Sequence, residues 1–312
     1  MSHYRNQLPM QGDTLFLTDG GLETTLVFLD GMELPAFAAF PLLDDTGGRA
    51  RLRSYYREYL ELARARGHGF VLEAPTWRAN ADWGAALGYD ATRLADANRR
   101  AIDFLAELRD AYDSPLTPVV ISGNIGPRGD GYRVETQMSP EQACDYHRAQ
   151  ISTFATTPAD LVSAFTLNYA EEAIGVSVAA RAEKIPAVIS FTVETDGRFP
   201  SGESLAAAIR RSDEATGSYP AYYMINCAHP AHFQHLLDDP GLPAWRIRGL
   251  RANASRRSHA ELDASTDLDD GDPVELGGQY RQLLQQLSEL RVLGGCCGTD
   301  FRHVEAISRA CA

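Results

Sequence analysis

This sequence lacks the features that direct a chain into a membrane or out of the cell. Residues 1–11 are polar and irregular, without the apolar core of a signal peptide. No apolar run approaches the roughly 20 residues that are needed to cross a bilayer. We therefore expect a cytoplasmic protein with no membrane partner.

Positive charge is also scarce. The chain has 29 Lys and Arg residues against 42 Asp and Glu residues, which gives a formal net charge of -13. The Arg256-Arg257 pair and the set Arg246, Arg248 and Arg251 are too short to reverse this balance. Because nucleic-acid-binding proteins rely on clustered Lys and Arg, we expect no nucleic-acid partner.

Nucleotide-binding and repeat signatures are missing as well. No GxGxxG follows a predicted strand, and no GxxxxGK precedes Ser or Thr. Neither an internal repeat nor a linker-like stretch interrupts the 312 residues. We expect one domain over residues 1–312.

Cysteine is rare, and its pattern is informative. The five cysteines are Cys144, Cys227, Cys296, Cys297 and Cys311. An odd number in a chain of this kind argues against a disulfide framework and favours metal or redox chemistry. Cys144 lies in a helical pattern and Cys311 lies beside the terminus, so we expect neither to take part.

The other three cysteines have glycine-rich or strand-end surroundings. Cys296 and Cys297 are adjacent in Gly294–Thr299, and Cys227 follows the apolar run that ends at Asn226. Three thiolates with one open position make a catalytic zinc site. The alternatives are packing in a small-residue turn, a disulfide between neighbours, or half of a four-cysteine structural site, which lacks a supporting CxxC.

Short apolar runs alternate with amphipathic helical segments along the whole chain. The predicted strands are 15–17, 70–72, 119–121, 161–163, 187–189, 222–225, 247–250 and 292–293. The predicted helices are 51–66, 91–112, 139–156, 170–183, 203–216 and 276–290. Eight such units predict a (β/α)8 TIM barrel, with a doubly wound open sheet as the alternative.

Polar residues follow the predicted strands at the end where barrel enzymes place their catalytic groups. They are Asp19, Gly20, Gly21, Glu73, Asn124, Asn226, Cys227, Asn253, Cys296 and Cys297. Strands six and eight are separated by one strand, so their three cysteines can converge on one ion. A zinc ion held by three thiolates suits a soft fourth ligand, which favours alkyl transfer to a substrate thiol.

The chain resembles the zinc-dependent homocysteine S-methyltransferase family over nearly its whole length. The resemblance rests on Thr18–Thr24, Ser122–Pro127, Ser190–Thr192, Gly202, Ile225–Cys227 and Gly294–Thr299. It implies a (β/α)8 barrel, a Zn²⁺ cofactor and the ligands Cys227, Cys296 and Cys297. It also implies that Asp19, Gly20 and Gly21 seat the amino-acid thiol.

The activity implied is methyl transfer from an onium donor to homocysteine, giving methionine. S-methylmethionine and S-adenosylmethionine are the favoured donors, and no catalytic residue beyond the zinc centre is required. We expect Thr76, Asn124, Asn226 and Asn253 to orient the ligands. The chain stops soon after the cysteine pair, without the long dimerisation arm of betaine-using relatives, so we expect a monomer or small homo-oligomer.

One departure from the family pattern concerns the methyl acceptor. The family usually has a Glu-Thr-Ile/Leu-Pro run after the fourth strand, and its glutamate pairs with the homocysteine amino group. Phe165 occupies that position here. Other carboxylates could substitute, namely Glu23, Glu73, Glu171 or Glu194. The alternatives are a different small thiol or selenol as acceptor, or a non-catalytic zinc- or thiol-binding protein.

Three further sets of residues allow two interpretations each. Trp77, Trp83, Tyr89 and Tyr132 could form an aromatic cage for an onium methyl group or pack loops on the barrel rim. His229, His232 and His235 are expected on a solvated helix face rather than as extra ligands. The acidic stretch Asp263–Asp272 is expected to be a solvated loop, because its spacing does not match an EF-hand.

Overall fold

Eight parallel strands form a closed barrel in the computed structural model, which describes residues 1–133 and 137–312. The strands are β1 (Phe16–Leu17), β2 (Gly69–Glu73), β3 (Val119–Ile125), β4 (Leu161–Leu167), β5 (Ala187–Phe191), β6 (Tyr222–Asn226), β7 (Ile247–Ala252) and β8 (Val292–Gly295). Each pairs with its neighbours in chain order, and β8 closes on β1. The predicted TIM barrel is confirmed over the open sheet.

Helices alternate with the strands as the periodicity predicts. They are α1 (Thr46–Arg66), α2 (Ala81–Ala86), α3 (Ala91–Tyr112), α4 (Pro140–Ala155), α5 (Ala170–Ala182), α6 (Leu205–Thr216), α7 (Pro230–Phe233), α8 (His259–Asp263), α9 (Pro273–Gln286) and α10 (Phe301–Cys311). The expected cap of α4 is present, since Ser139 and Gln142 form a reciprocal capping box.

The barrel interior is filled by its own small apolar cluster. Phe16, Val71, Val120, Phe165 and Met224 belong to it, with other inward-facing strand residues. Leu8 and Met10 of the chain start pack against the same cluster from the end opposite the strand carboxyl termini. A larger apolar cluster lies between the strands and the surrounding helices.

A buried ion pair fixes the chain start to this lower end. Asp160 accepts hydrogen bonds from the backbone N–H groups of His3 and Tyr4 at 2.7 and 2.8 Å. It also accepts one from Arg109 Nη1 at 3.2 Å, and both side chains are almost fully buried. None of the helices among residues 1–133 and 137–312 is long and apolar enough to cross a membrane.

Candidate metal centre and ligand pocket

Three cysteine sulfurs converge at the carboxyl ends of β6 and β8. The Sγ atoms of Cys227, Cys296 and Cys297 all lie within 4.8 Å of one another, the only group of potential ligands of this kind found in the described ranges. Cys227 Sγ and Cys297 Sγ are 3.9 Å apart. Two thiolates on a tetrahedral zinc with Zn–S bonds of about 2.3 Å would be roughly 3.8 Å apart. The predicted convergence of the three cysteines is therefore confirmed.

The structure joins Cys227 and Cys296 as a disulfide. A metal binds cysteine as thiolate, so this pair must be reduced before all three sulfurs can serve as ligands. The set of three soft donors on rigid strand ends fits zinc. Cys144 and Cys311 are buried in α4 and α10, apart from this cluster.

Backbone geometry places Cys227 for this role. Its φ of 52° lies in the left-handed region, which is unusual for a residue with a side chain. Its carbonyl accepts from Asn253 Nδ2 at 3.0 Å and lies 2.6 Å from His259 Nε2. His259 Nδ1 in turn lies 3.0 Å from Glu194 Oε1. These contacts hold the Cys227 backbone in its left-handed conformation. They make His259 a positioning residue that the sequence did not reveal.

Close backbone packing fixes the other two cysteines. A Cβ atom on Gly21 would lie 2.6 Å from the Cys296 carbonyl oxygen, so only glycine lets the end of β1 approach this turn. The N–H of Gly21 donates to the Thr299 carbonyl at 3.0 Å. The Gly21 amide is thus engaged within the protein.

A pocket of about 430 Å³ opens over the cysteines. Its lining includes seven of the predicted substrate residues, which are Asp19, Gly20, Gly21, Glu23, Asn124, Asn226 and Asn253. Thr76 is not in the lining, and its hydroxyl donates to the Asn124 carbonyl at 2.7 Å. Asn226 lines the pocket, but its side chain bonds to Thr166 and Ser190, so it braces β4 and β5.

Arg251 is the main pocket residue that the sequence analysis missed. It was considered only as part of a weak basic set, although it precedes Asn253 at the end of the seventh strand. Its Nη1 lies 2.7 Å from Asp19 Oδ1, and it donates to the carbonyls of Gly20 and Gly295 at 3.0 Å. Its guanidinium also lies 5.4 Å from the centre of the Phe165 ring.

Two of the four proposed substitute carboxylates reach the pocket. Glu23 and Glu73 line it, whereas Glu171 pairs with Arg211 and Glu194 contacts His259. Burial raises the pKa of Glu73 to about 7, and the charge of nearby Arg251 opposes that rise. Burial also raises the pKa of Glu23.

The four aromatic residues considered for a cage lie in different places. Trp77 and Tyr132 line the pocket, and the Tyr132 hydroxyl lies 3.9 Å from Cys297 Sγ. Tyr89 instead packs edge-on against Phe40 at 5.0 Å, as the rim-packing interpretation predicts. Trp83 is not in the lining, and an arginine already lies over its ring and that of Trp77.

Two loop expectations need correction. The solvated helix face predicted for the histidines is wrong for His229 and His232, which are buried; His229 caps α7 and His232 contacts the Arg256 carbonyl. The acidic stretch is exposed at Asp263 and Asp267, yet it also forms one wall of the pocket. Side-chain patterns could not show that this loop folds back over the barrel mouth.

A closed (β/α)8 barrel with convergent cysteines at the carboxyl ends of its strands belongs to the class of barrel enzymes. The sequence profile described as Homocysteine S-methyltransferase matches residues 16–311. Because this match spans nearly the whole chain, the chain belongs to the homocysteine S-methyltransferase family and is a methyltransferase. A purely storage or sensing role is thereby disfavoured.

Solved structures of homocysteine methyltransferase MmuM from Escherichia coli share the fold. The metallated form is 19% identical, with a TM-score of 0.70 and coverage of 96% of each chain. The oxidized form is 20% identical, with a TM-score of 0.72 and coverage of 98% of this chain and 99% of that one. No curated protein matches the chain.

Proposed function

We propose that this enzyme transfers a methyl group from a sulfonium or other onium donor to the thiolate of homocysteine, giving methionine. S-methylmethionine and S-adenosylmethionine are the favoured donors. The convergence of Cys227, Cys296 and Cys297 in a pocket supports this proposal most directly. Family membership supports the reaction class.

The three cysteines would hold zinc and leave one position for the acceptor sulfur. A bound zinc lowers the pKa of a substrate thiol, so that the thiolate is available near neutral pH. In the transfer from a sulfonium donor, a sulfur–methyl bond forms on the acceptor and the donor's methyl–sulfur bond breaks. Its electron pair stays on the donor, which leaves as a neutral thioether. The thiol proton goes to solvent, so no general base is needed.

The charge of the pocket favours a cationic donor. Asp130, Asp263 and Asp267 line it, and Arg78 is an opposing positive charge in the same lining. An excess of carboxylates in a concave site raises the local concentration of cations. Tyr132 adds an aromatic ring to the same pocket, whereas Arg78 already lies over the ring of Trp77.

Cys296→Ser should abolish zinc binding and methyl transfer together, because a hydroxyl is a poor replacement for a thiolate ligand. Zinc content is measured by elemental analysis, and methionine by mass spectrometry with each donor. Cys144→Ser, in a buried cysteine of α4, is the matched control and should retain both. Equal zinc in Cys296→Ser and wild type would refute the site.

Phe165 favours a second candidate, a different small thiol or selenol as acceptor. Its ring lines the pocket at the position where the family usually has a glutamate. Phe165→Glu should then improve use of homocysteine, which is measured as kcat/KM against a panel of thiols. Efficient homocysteine use by the wild type, unchanged in Phe165→Glu, would dispose of this candidate.

A further inference from the structure

Several buried polar atoms of the pocket wall have no hydrogen-bond partner within the described residues. They are Glu73 Oε2, Asn124 Oδ1 and Asn253 Oδ1, together with Asp19 Oδ1 and Arg251 Nη1, which pair only with each other as ions at 2.7 Å. Unpartnered buried polar atoms are uncommon in folded proteins, because each loses its hydrogen bonds to water without replacement. Their concentration in one pocket indicates groups that await a polar ligand.

The types of these atoms limit which ligand can bind to them. Four are acceptors, and one is a guanidinium donor. A ligand that satisfies them needs several N–H donors and an anionic acceptor in one small molecule. The ammonium and carboxylate of an α-amino acid supply both.

The carboxylate of Glu73 reaches the part of the barrel where the family glutamate is missing. Ser163 Oγ lies 3.4 Å from Glu73 Oε1. Ser163 is two residues before Phe165 on β4, and side chains two apart on a strand share a face. The Glu73 side chain therefore reaches across β3 to the level of Ser163. Its carboxylate lies one layer of side chains below Phe165, and its Oε2 atom has no hydrogen-bond partner.

Arg251 carries a positive charge near enough to Glu73 to favour its ionised form. Its Nη1 forms an ion pair with Asp19 Oδ1 at 2.7 Å. The Nε and Nη2 groups are fixed by the carbonyls of Gly295 and Gly20. The guanidinium is thus held rigidly, and a substrate carboxylate would share its Nη1 edge with Asp19.

We propose that Glu73 binds the α-ammonium of the acceptor amino acid and Arg251 binds its α-carboxylate, so that these two residues set specificity for an α-amino thiol. This inference rests on the proposed function and identifies the substrate class of the same site. Glu73 on β2 thus supplies the carboxylate that the family usually has at the position of Phe165 on β4. The competing explanation is that Glu73 serves only to neutralise Arg251.

Binding of methionine and of its analogue without the amino group, 4-(methylthio)butanoate, separates these explanations. Isothermal titration calorimetry on reduced, zinc-free protein requires neither metal nor methyl donor. The wild type should bind methionine about 10- to 100-fold more tightly, the range expected for one charge-assisted hydrogen bond. Glu73→Gln should remove most of that preference while the affinity for the analogue changes little.

Matched variants control for folding and for charge. Glu171→Gln removes a carboxylate that pairs with Arg211 outside the pocket, and it should keep the preference. Glu73→Asp keeps the charge and should restore part of it. For the carboxylate, Arg251→Lys should weaken methionine binding but leave 3-(methylthio)propylamine, which lacks that group, nearly unchanged.

Equal losses for methionine and the analogue in Glu73→Gln would show that Glu73 only balances Arg251, and the proposal would fail. Equal binding of the two ligands by the wild type would also overturn it. Zinc-loaded protein that methylates no thiol, while the methionine preference persists, would reject the proposed reaction and leave the binding assignment intact.

Discussion

Glu73 carries a carboxyl group that is 5% exposed and therefore poorly solvated when ionised. Burial raises its pKa from 4.5 to about 7, with Arg251 opposing the rise. The folded protein consequently holds the proton more tightly than the unfolded chain does. Stability should fall as the pH rises from 4.5 through about 7, since ionisation of this buried group costs free energy in the folded state only.

This dependence gives a prediction for Glu73→Gln. The amide cannot ionise, so the variant should lose the decline in stability over that pH window. The difference at full ionisation is on the order of 3 kcal/mol, at about 1.4 kcal/mol per pKa unit. Urea denaturation at a series of pH values measures it. Parallel pH profiles for variant and wild type would contradict the prediction.

The second residue-scale prediction concerns His259, which supports the Cys227 carbonyl and lies 4.2 Å from the Tyr132 ring centre. His259→Phe keeps an aromatic ring but removes the hydrogen bond. Zinc affinity should drop by about 10- to 100-fold, as for other residues that orient metal ligands. Competition with a chromophoric chelator measures the affinity. His235→Ala, at an exposed position, should match wild type.

Residue types revealed the three convergent cysteines but not the residues that support them. A set of three cysteines that lie beside glycines or at the ends of predicted strands is rare enough to be recognised in a sequence. Arg251 and His259 are common residue types, and their roles depend on contacts with β1 and with the turn after β6. Such contacts between distant segments leave no local pattern.

At the scale of elements, the turn after β8 depends on the end of β1. Gly21→Ala would place a methyl group against the Cys296 carbonyl, where backbone must shift to relieve the overlap. Zinc affinity should fall clearly, by on the order of 10-fold or more, because ligand geometry is disturbed. Gly278→Ala, in α9 with open space around it, is the control and should not alter metal binding. Unchanged zinc affinity in Gly21→Ala would show that the turn tolerates displacement.

The regular elements could be predicted because their periodicity is strong. All eight predicted strands are present, and the predicted helices differ mainly at their ends. The acidic composition of Asp263–Asp272 predicts a solvated loop and does not reveal that this segment also forms a wall of the pocket. Its position follows from tertiary packing around Asp269, which accepts from Ser255 at 2.7 Å.

In the whole molecule, the pocket and a buried ion pair that contributes to stability lie at opposite ends of the barrel. The cysteines and the pocket lie at the carboxyl ends of the strands, while the chain start closes the other end. Asp160→Ala would leave Arg109 as a buried, uncompensated charge. The free energy of unfolding should drop by about 3–5 kcal/mol.

Zinc affinity of the folded Asp160→Ala protein should nevertheless equal that of wild type. Chemical denaturation and chelator competition measure the two properties separately. Asp96→Ala, which removes an exposed pair with Arg99, should change stability little. A large loss of zinc affinity in Asp160→Ala would show that the two ends of the barrel are coupled.

The spacing of the metal ligands also sets the order of events during biosynthesis. Cys227 follows the sixth strand, but Cys296 and Cys297 follow the eighth, 69 residues later for the Cys227–Cys296 pair. A chain emerging from the ribosome has made all eight strands before it can present the three cysteines together. Under the proposed zinc assignment, metal capture is therefore one of the last steps in maturation, after β8 has inserted between β7 and β1.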